Sequence, residues 1–297
     1  TNQSAMEHGH IQLDGPFDLR LTVESGQSYL WWREDGATYG STDEATRYLT
    51  TTRATGEPAV VRVRQDGDSL YWESTIDAEP VVRRRLGLDD DLQAIRETVP
   101  AGELVEEAFD AHSGMRIVRD PPFAGLISFI CSAQMRVARI HGMQQRLRES
   151  FGTPVSFDGE THHAYPTPDQ LAGASEAALR ELSLGYRAPY VRDTAEMVAD
   201  GTRPEEVRGR PYEQARETLT RYVGVGQKVA DCVLLFSLGY LQAVPLDTWI
   251  RQTIEEYYPD CDRGNYADTS RALRERLGGE YAGYAQTYIF YHLRTGG

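Results

Sequence analysis

Residues 212–258 read YEQARETLTRYVGVGQKVADCVLLFSLGYLQAVPLDTWIRQTIEEYY, and the rest of the chain is interpreted around them. Apolar spacing predicts a helix over 212–222, with Ala215, Leu219 and Tyr222 on one face. Val223-Gly224-Val225-Gly226 then breaks the pattern, because glycines permit positive φ and close backbone approach. A second helix is expected over 227–239 and a third over 248–258. The first-turn N–H groups of that second helix lack intrahelical acceptors and carry the positive end of its dipole. Such a turn binds an anion through backbone alone, and a DNA phosphate suits it. A GxG turn taken by itself reads equally well as a short helix connection.

Lys228, at the start of that second helix, is the single lysine among 31 Lys and Arg residues. A chain that uses arginine everywhere else keeps an amine here, which points to amine chemistry rather than charge. A cation gains nothing from the dipole at a helix start. An amine partly buried beside Val229 and Cys232 suits a nucleophile that forms a Schiff base. Asp247 follows in AVPLDTWI and is placed to cap the third helix, a role worth about 1 kcal/mol. A capping carboxylate keeps a second oxygen, which near an amine helps remove a proton and stabilises a developing sugar cation.

GVGQKVADCVLLFSLGYLQAVPLD resembles the helix-hairpin-helix and Gly/Pro…Asp signature of base-excision DNA glycosylases. In detail it is similar to the 8-oxoguanine DNA glycosylase/AP lyase family, in which a lysine follows the hairpin and an aspartate follows Val-Pro. The resemblance implies that Lys228 is the nucleophile and Asp247 the essential carboxylate. It also implies that Gly224, Gly226 and Gln227 bind phosphate, and that the carbonyls of Thr220, Tyr222 and Val225 hold a monovalent cation. The four-cysteine iron–sulfur loop of the endonuclease III relatives is absent.

Outward from this stretch, the 297 residues are 40% apolar and 26% charged, enough for one or two sizeable cores. The formal net charge of −14 runs against the basic balance expected of a nucleic-acid protein. Many acidic residues with almost no lysine is a halophile's composition, and the family reading carries a halophilic archaeal source with it. Cys131, Cys232 and Cys261 are far apart, so neither zinc nor a disulfide framework is indicated. His162-His163, in a polar loop, lacks a suitably spaced third ligand for a metal. With no signal peptide and no membrane-length apolar run, a soluble, intracellular protein is expected; the resemblance to glycosylases implies a cytoplasmic, nucleoid-associated monomer. Residues 1–5, ahead of Met6, read as an expression remnant.

The expected fold class is α+β: an N-terminal antiparallel β domain over 6–115, then an α-helical region over 116–297 with the hairpin at 212–239. Strands are read at 19–23 by alternation, at 28–33 by aromatic content, and as a hairpin over 59–73 around Asp66-Gly67. Asp89-Asp90-Asp91 reads as a solvated helix start, and 120–143 as one apolar helix after Pro121-Pro122. Thr167-Pro168 is an N-cap and first helical position, and Gly185 a C′ glycine. Tyr186 and Arg187 then sit on an exposed turn. A short helix is read at 270–277, before a closing aromatic helix that puts Gln286 and Phe290 four apart on one face.

From residues alone, Ser25-Gly26 is a turn before a strand. The family stretch beginning Ser-Gly-Gln-Ser implies more: the Gly26 carbonyl accepts the N7–H that oxidised guanine has and guanine lacks. Further implications are Gln286 on the pairing edge of a flipped base, Phe290 and Cys232 on its two faces, and Pro245 beside it. Tyr186 would wedge the duplex, with Arg187, Gln134 and Arg139 contacting the opposite strand. Gln134 stands where the family has Asn, and Trp249 where relatives have His. The implied partner is double-stranded DNA with 8-oxoguanine opposite cytosine, attacked without redox or zinc cofactor. The rivals are a monofunctional alkylated-base glycosylase of the same fold and a non-catalytic helix-hairpin-helix DNA-binding protein.

Overall fold

The computed structural model describes residues 5–43 and 45–296, so the remnant reading of 1–5 falls, but for Ala5, outside the described residues. Five strands form one antiparallel sheet: β1 (Glu7–Gln12), β2 (Trp32–Arg33), β3 (Tyr48–Thr52), β4 (Ala59–Asp66) and β5 (Ser69–Ser74). Their order is β1-β5-β4-β3-β2. The hairpin β4–β5 pairs Asp66 with Ser69 across a two-residue turn in which Gly67 takes φ 57°. Alternation along it does what period two requires. Val61, Val63, Leu70 and Trp72 enter the core beneath the sheet. Val60 turns the other way, onto Val155 and Phe157.

The segment 19–23 is not a strand. Leu19–Glu24 is a helix capped by Asp18, whose carboxylate accepts the Leu21 N–H at 2.8 Å. This helix lies between two cores: Leu19 and Val23 pack under the sheet, and Leu21 packs with the helical body. Burial on two sides imitated alternation. Of 28–33 only Trp32 and Arg33 join the sheet.

Helices follow from residue 79. Asp91 caps Leu92–Thr98, as a helix start should. Asp90, however, is not solvated: it holds Arg119 through both oxygens, at 2.8 and 2.9 Å, and accepts the Tyr284 hydroxyl. The single helix expected over 120–143 is two, Pro122–Ser132 and Val137–Phe151, broken where Gln134 adopts φ 54°. His162 and His163 lie in a strand, β7 (Glu160–His163), which pairs with β6 (Pro154–Phe157). Thr167 and Gln170 form a capping box with Pro168 at the first turn. After Glu176–Glu181 the left-handed position falls first on Ser183 (φ 67°), and Gly185 opens a 3₁₀ turn at φ 58°. The helix expected at 270–277 is Tyr266–Arg276, begun earlier by an Asn265 cap.

The central stretch folds as Tyr212–Leu219, Gln227–Phe236 and Thr248–Tyr257. Eight consecutive residues of the middle helix, 229–236, are buried, which puts it at the centre of the main core. The closing helix, Ala282–Thr295, packs Tyr288 flat on Phe109 with centroids 4.1 Å apart. No helix among the described residues is long and apolar enough to cross a membrane.

Candidate active site

The hairpin turn is built by glycine. Gly224 has φ 79°, and a Cβ there would lie 2.7 Å from the Tyr190 ring. The Val225 N–H closes the turn on the Tyr222 carbonyl at 3.1 Å, and Thr194 Oγ1 pins the Val223 carbonyl at 3.0 Å. Gly226 caps the following helix with no side-chain hydrogen bond. The helix mouth at exposed Gly226 and Gln227 therefore presents backbone donors rather than a capping side chain.

From that mouth, Lys228, Cys232 and Phe236 recur every four residues along one helix face and line a cleft of about 280 Å³. Pro245 and Asp247 arrive from the turn before the third helix, and Gln286, Phe290 and Arg294 from one face of the closing helix. Ser25 and Gly26 come from the far end of the chain. Lys228 is half-buried. Asp247 does cap its helix, accepting the Ile250 N–H at 2.8 Å. Burial holds its carboxyl above the usual carboxylate range; the Ile250 N–H and then the Lys228 cation pull it back. The amine and the carboxylate thus line one cleft.

Burial pushes the Cys232 thiol up to about 12, so it serves here as a neutral, polarisable surface. Gln286 is 5% exposed, and its carbonyl oxygen is sealed from solvent with no partner among the described residues. Gly26 has φ 94°, and a Cβ would sit 2.8 Å from Arg294 Nη1 and 3.6 Å from Phe290. Glycine is needed there for its conformation; the Arg294 guanidinium tip could move aside for a Cβ.

The sequence-predicted residues divide into two sets. Gly26, Gln134, Lys228, Cys232, Pro245, Asp247, Gln286 and Phe290 line the cleft. Arg139, Tyr186, Gly224, Gly226 and Gln227 lie outside it on the surface, Tyr186 being 49% exposed. Tyr186 meets Tyr190 edge-on at 6.0 Å, so the exposed turn and the hairpin share one support. Arg187 departs from expectation. It is buried, stacks on Tyr186 at 4.3 Å, and donates to the Ala133 carbonyl, clamping the bend that displays Gln134. Trp249, at the cleft mouth, is 42% exposed.

Four residues that sequence reasoning passed over hold the site together. Gln27 accepts the Val118 N–H at 3.0 Å and donates to the Arg116 carbonyl at 2.8 Å, anchoring the Gly26 turn. Tyr266 accepts the Leu246 N–H at 3.1 Å and donates to Asp231 at 2.7 Å, tying the residue before Asp247 to the Lys228 helix. Asp231 also accepts the Tyr212 hydroxyl at 2.5 Å, and burial pushes its carboxyl up to about 6. Arg294 lies over Phe290 at 5.2 Å. Only Asp231 carried a signal, as a lone acid within an apolar run.

A family model described as HhH-GPD superfamily base excision DNA repair protein matches residues 127–278. A "Probable N-glycosylase/DNA lyase" from Methanothermobacter thermautotrophicus is 32% identical, over 95% of this chain and 95% of that protein. The "N-glycosylase/DNA lyase" of Saccharomyces cerevisiae is 30% identical, over 92% of this chain and 82% of its own length. Among solved structures, the Clostridium acetobutylicum 8-oxoguanine glycosylase/lyase in complex with double-stranded DNA containing cytosine opposite 8-oxoguanine superposes with TM-score 0.82. It is 27% identical and covers 98% of both chains.

Proposed function

The chain belongs to the HhH-GPD superfamily of base excision DNA repair proteins and is an N-glycosylase/DNA lyase, and from that premise we propose that it excises 8-oxoguanine from duplex DNA and nicks the abasic site. The observation that carries the reading is the convergence of Lys228 and Asp247 on a cleft that also contains Gly26 and Gln286. The damaged nucleotide leaves the stack and enters the cleft. Gly26 lends its carbonyl to the N7–H, where guanine would present a repelling lone pair. Gln286 reads the pairing edge; Phe290 and Cys232 cover the two faces, with Pro245 beside them.

Lys228 Nζ, as free amine, attacks C1′ of the deoxyribose. The N-glycosidic bond breaks, and its electron pair leaves with the base, which takes up a proton. Asp247 stabilises positive charge on the sugar while the bond is breaking. The secondary amine so formed expels the ring oxygen as a hydroxyl and becomes a Schiff base. Loss of a C2′ proton then expels the 3′ phosphate by β-elimination. Outside the cleft, Gly224, Gly226 and Gln227 grip backbone phosphate. The carbonyls of Thr220, Tyr222 and Val225 would hold a monovalent cation there; Tyr222's already accepts one N–H and keeps a lone pair free. Tyr186 fills the gap left by the base, while Gln134 and Arg139 meet the opposite strand at cytosine. Arg187 acts through the bend it clamps.

Borohydride trapping on an 8-oxoguanine:cytosine duplex tests this. A covalent adduct is expected with the natural chain and none with Lys228→Gln, while duplex binding persists. Equal trapping by Lys228→Gln would refute the assignment. Efficient excision of a methylated purine, with 8-oxoguanine left intact, would favour the alkylated-base alternative.

A further inference from the structure

A second cavity, of about 340 Å³, shares Tyr29 with the lesion cleft and lies between the β2 edge, β7 and the helix Val137–Phe151. Arg148 lines it and is only 8% exposed. Six arginines of this chain are buried to that degree, and the other five have acceptors. Arg33 holds Asp35, Arg85 holds Asp120, and Arg216 holds Asp231. Arg116 donates to the Gly87 and Leu88 carbonyls, and Arg187 to that of Ala133. Arg148 alone has no side-chain hydrogen bond and no ion pair among the described residues. Its guanidinium lies 3.8 Å over the Trp32 ring.

A buried cation without a partner is costly to maintain. Burial here depresses the Arg148 guanidinium to about 10. A stacked guanidinium keeps its N–H edge free, and that edge grips carboxylate or phosphate in pairs. The neighbouring acids are engaged elsewhere: Glu24 accepts the Tyr48 hydroxyl at 2.7 Å and Glu149 the Gln145 amide at 2.8 Å. His141 stands edge-on to both Tyr29 (5.2 Å) and Tyr39 (6.0 Å). Burial pushes that imidazole down to about 4, so at neutral pH it is an uncharged polar wall. Tyr39, 40% exposed, stands at the rim.

The space is too large for a bare phosphate and falls within the range of small-molecule sites, about 300–1,000 Å³. Its walls are aromatic on several sides, which suits the stacking of a planar ring. We propose that this cavity is a nucleotide site separate from the lesion cleft, with a 5′ phosphate on Arg148 and the base against the rim aromatic Tyr39. The phosphate-and-base chemistry is common to a free nucleotide and to the 5′-terminal nucleotide of a DNA strand. Nothing in the inference depends on which lesion the other cleft takes.

Calorimetric titration of the full chain with deoxyguanosine monophosphate and with a 5′-phosphorylated single-stranded oligonucleotide tests it. Deoxyguanosine and inorganic phosphate are the controls, each expected to bind about tenfold more weakly or worse, since each forfeits one half of the recognition. Arg148→Met should weaken the phosphorylated ligand by about tenfold or more, one lost charge-assisted contact. Gln286→Ala, in the lesion cleft, should leave that affinity within about twofold, because Gln286 does not line the second cavity. Loss by Arg148→Met of the monophosphate assigns a free nucleotide; loss of the oligonucleotide alone assigns a strand end. If neither ligand is weakened, or if Gln286→Ala removes binding that Arg148→Met retains, the proposal is overturned. Arg148→Met should shift the melting temperature little, since it deletes a charge with no ion-pair partner together with that charge's stack on Trp32. Should it fail to fold, the rim variant Tyr39→Ala supplies the same readout, with unchanged affinity again counting against the site.

Discussion

At the scale of single residues, the site combines groups whose structural and chemical duties can be separated. Asp247 is the clearest case. Asn caps a helix about as well as Asp, so Asp247→Asn keeps the bond to the Ile250 N–H while removing the charge. Its activity should fall about 100-fold or more, the size seen when one preorganised electrostatic group is lost. Stability should move differently. A carboxyl held above its unfolded pKa contributes stability that is full below that unfolded value and lost as pH rises through the native one. Asp247→Asn should therefore melt at or slightly above the natural chain near neutral pH, with the difference closing as pH falls into the carboxylate range. Thermal melts at several pH values, set beside single-turnover rates, separate the two effects; parallel loss of both would mean the residue is a cap and nothing more. Lys228 and Asp247 were legible as candidates because a lone lysine and a capping acid stand out in this composition. Gln27 and Tyr266 were not, because their meaning lies in partners far along the chain.

Among the elements, the hairpin and the turn carrying Tyr186 form one unit through Tyr190. Gly224 is where they touch. Gly224→Ala forces a side chain into a left-handed backbone, at about 1–2 kcal/mol, and into the Tyr190 ring 2.7 Å away. We expect weaker binding of undamaged duplex and a lower melting temperature, with the cleft chemistry intact on DNA supplied in excess. Fluorescence anisotropy on undamaged duplex checks this; unchanged affinity would show that the turn does not face the backbone. The elements that sequence patterning misassigned share one cause. Leu19–Glu24 has a buried residue on both sides because it lies between two cores. The run over 120–143 looks uniformly apolar because both of its helices are packed, and only the Gln134 backbone shows the break.

For the whole molecule, one buried pair joins the sheet to the helix that carries Lys228. Arg85 reaches Thr50 and the Thr51 carbonyl in β3 and holds Asp120 at 2.9 Å, while the Asp120 N–H donates to the Phe236 carbonyl at 2.8 Å. Both side chains are almost wholly buried, so Arg85→Met would strand a carboxylate. Breaking such a pair costs about 3–5 kcal/mol, whereas replacing both partners is often neutral. Denaturant unfolding should show the large loss in Arg85→Met and its recovery in Arg85→Met/Asp120→Leu; absence of recovery would mean the pair is not the joint. The sequence alone determined the hairpin, the sheet's central β4–β5 pair, the α+β class and the identity of the cleft's chemical groups. Those are local matters: periodicity, turn residues and caps act over a few neighbours, and one long gapless motif carries the chemistry with it. Only the tertiary structure decided that Gly26 meets Phe290 and Arg294, that Arg187 is a buried clamp, and that Arg148 faces a cavity unpaired. Those facts depend on which distant segments come within a few ångströms, and desolvation at such meetings is set by the packed whole rather than by any window of residues.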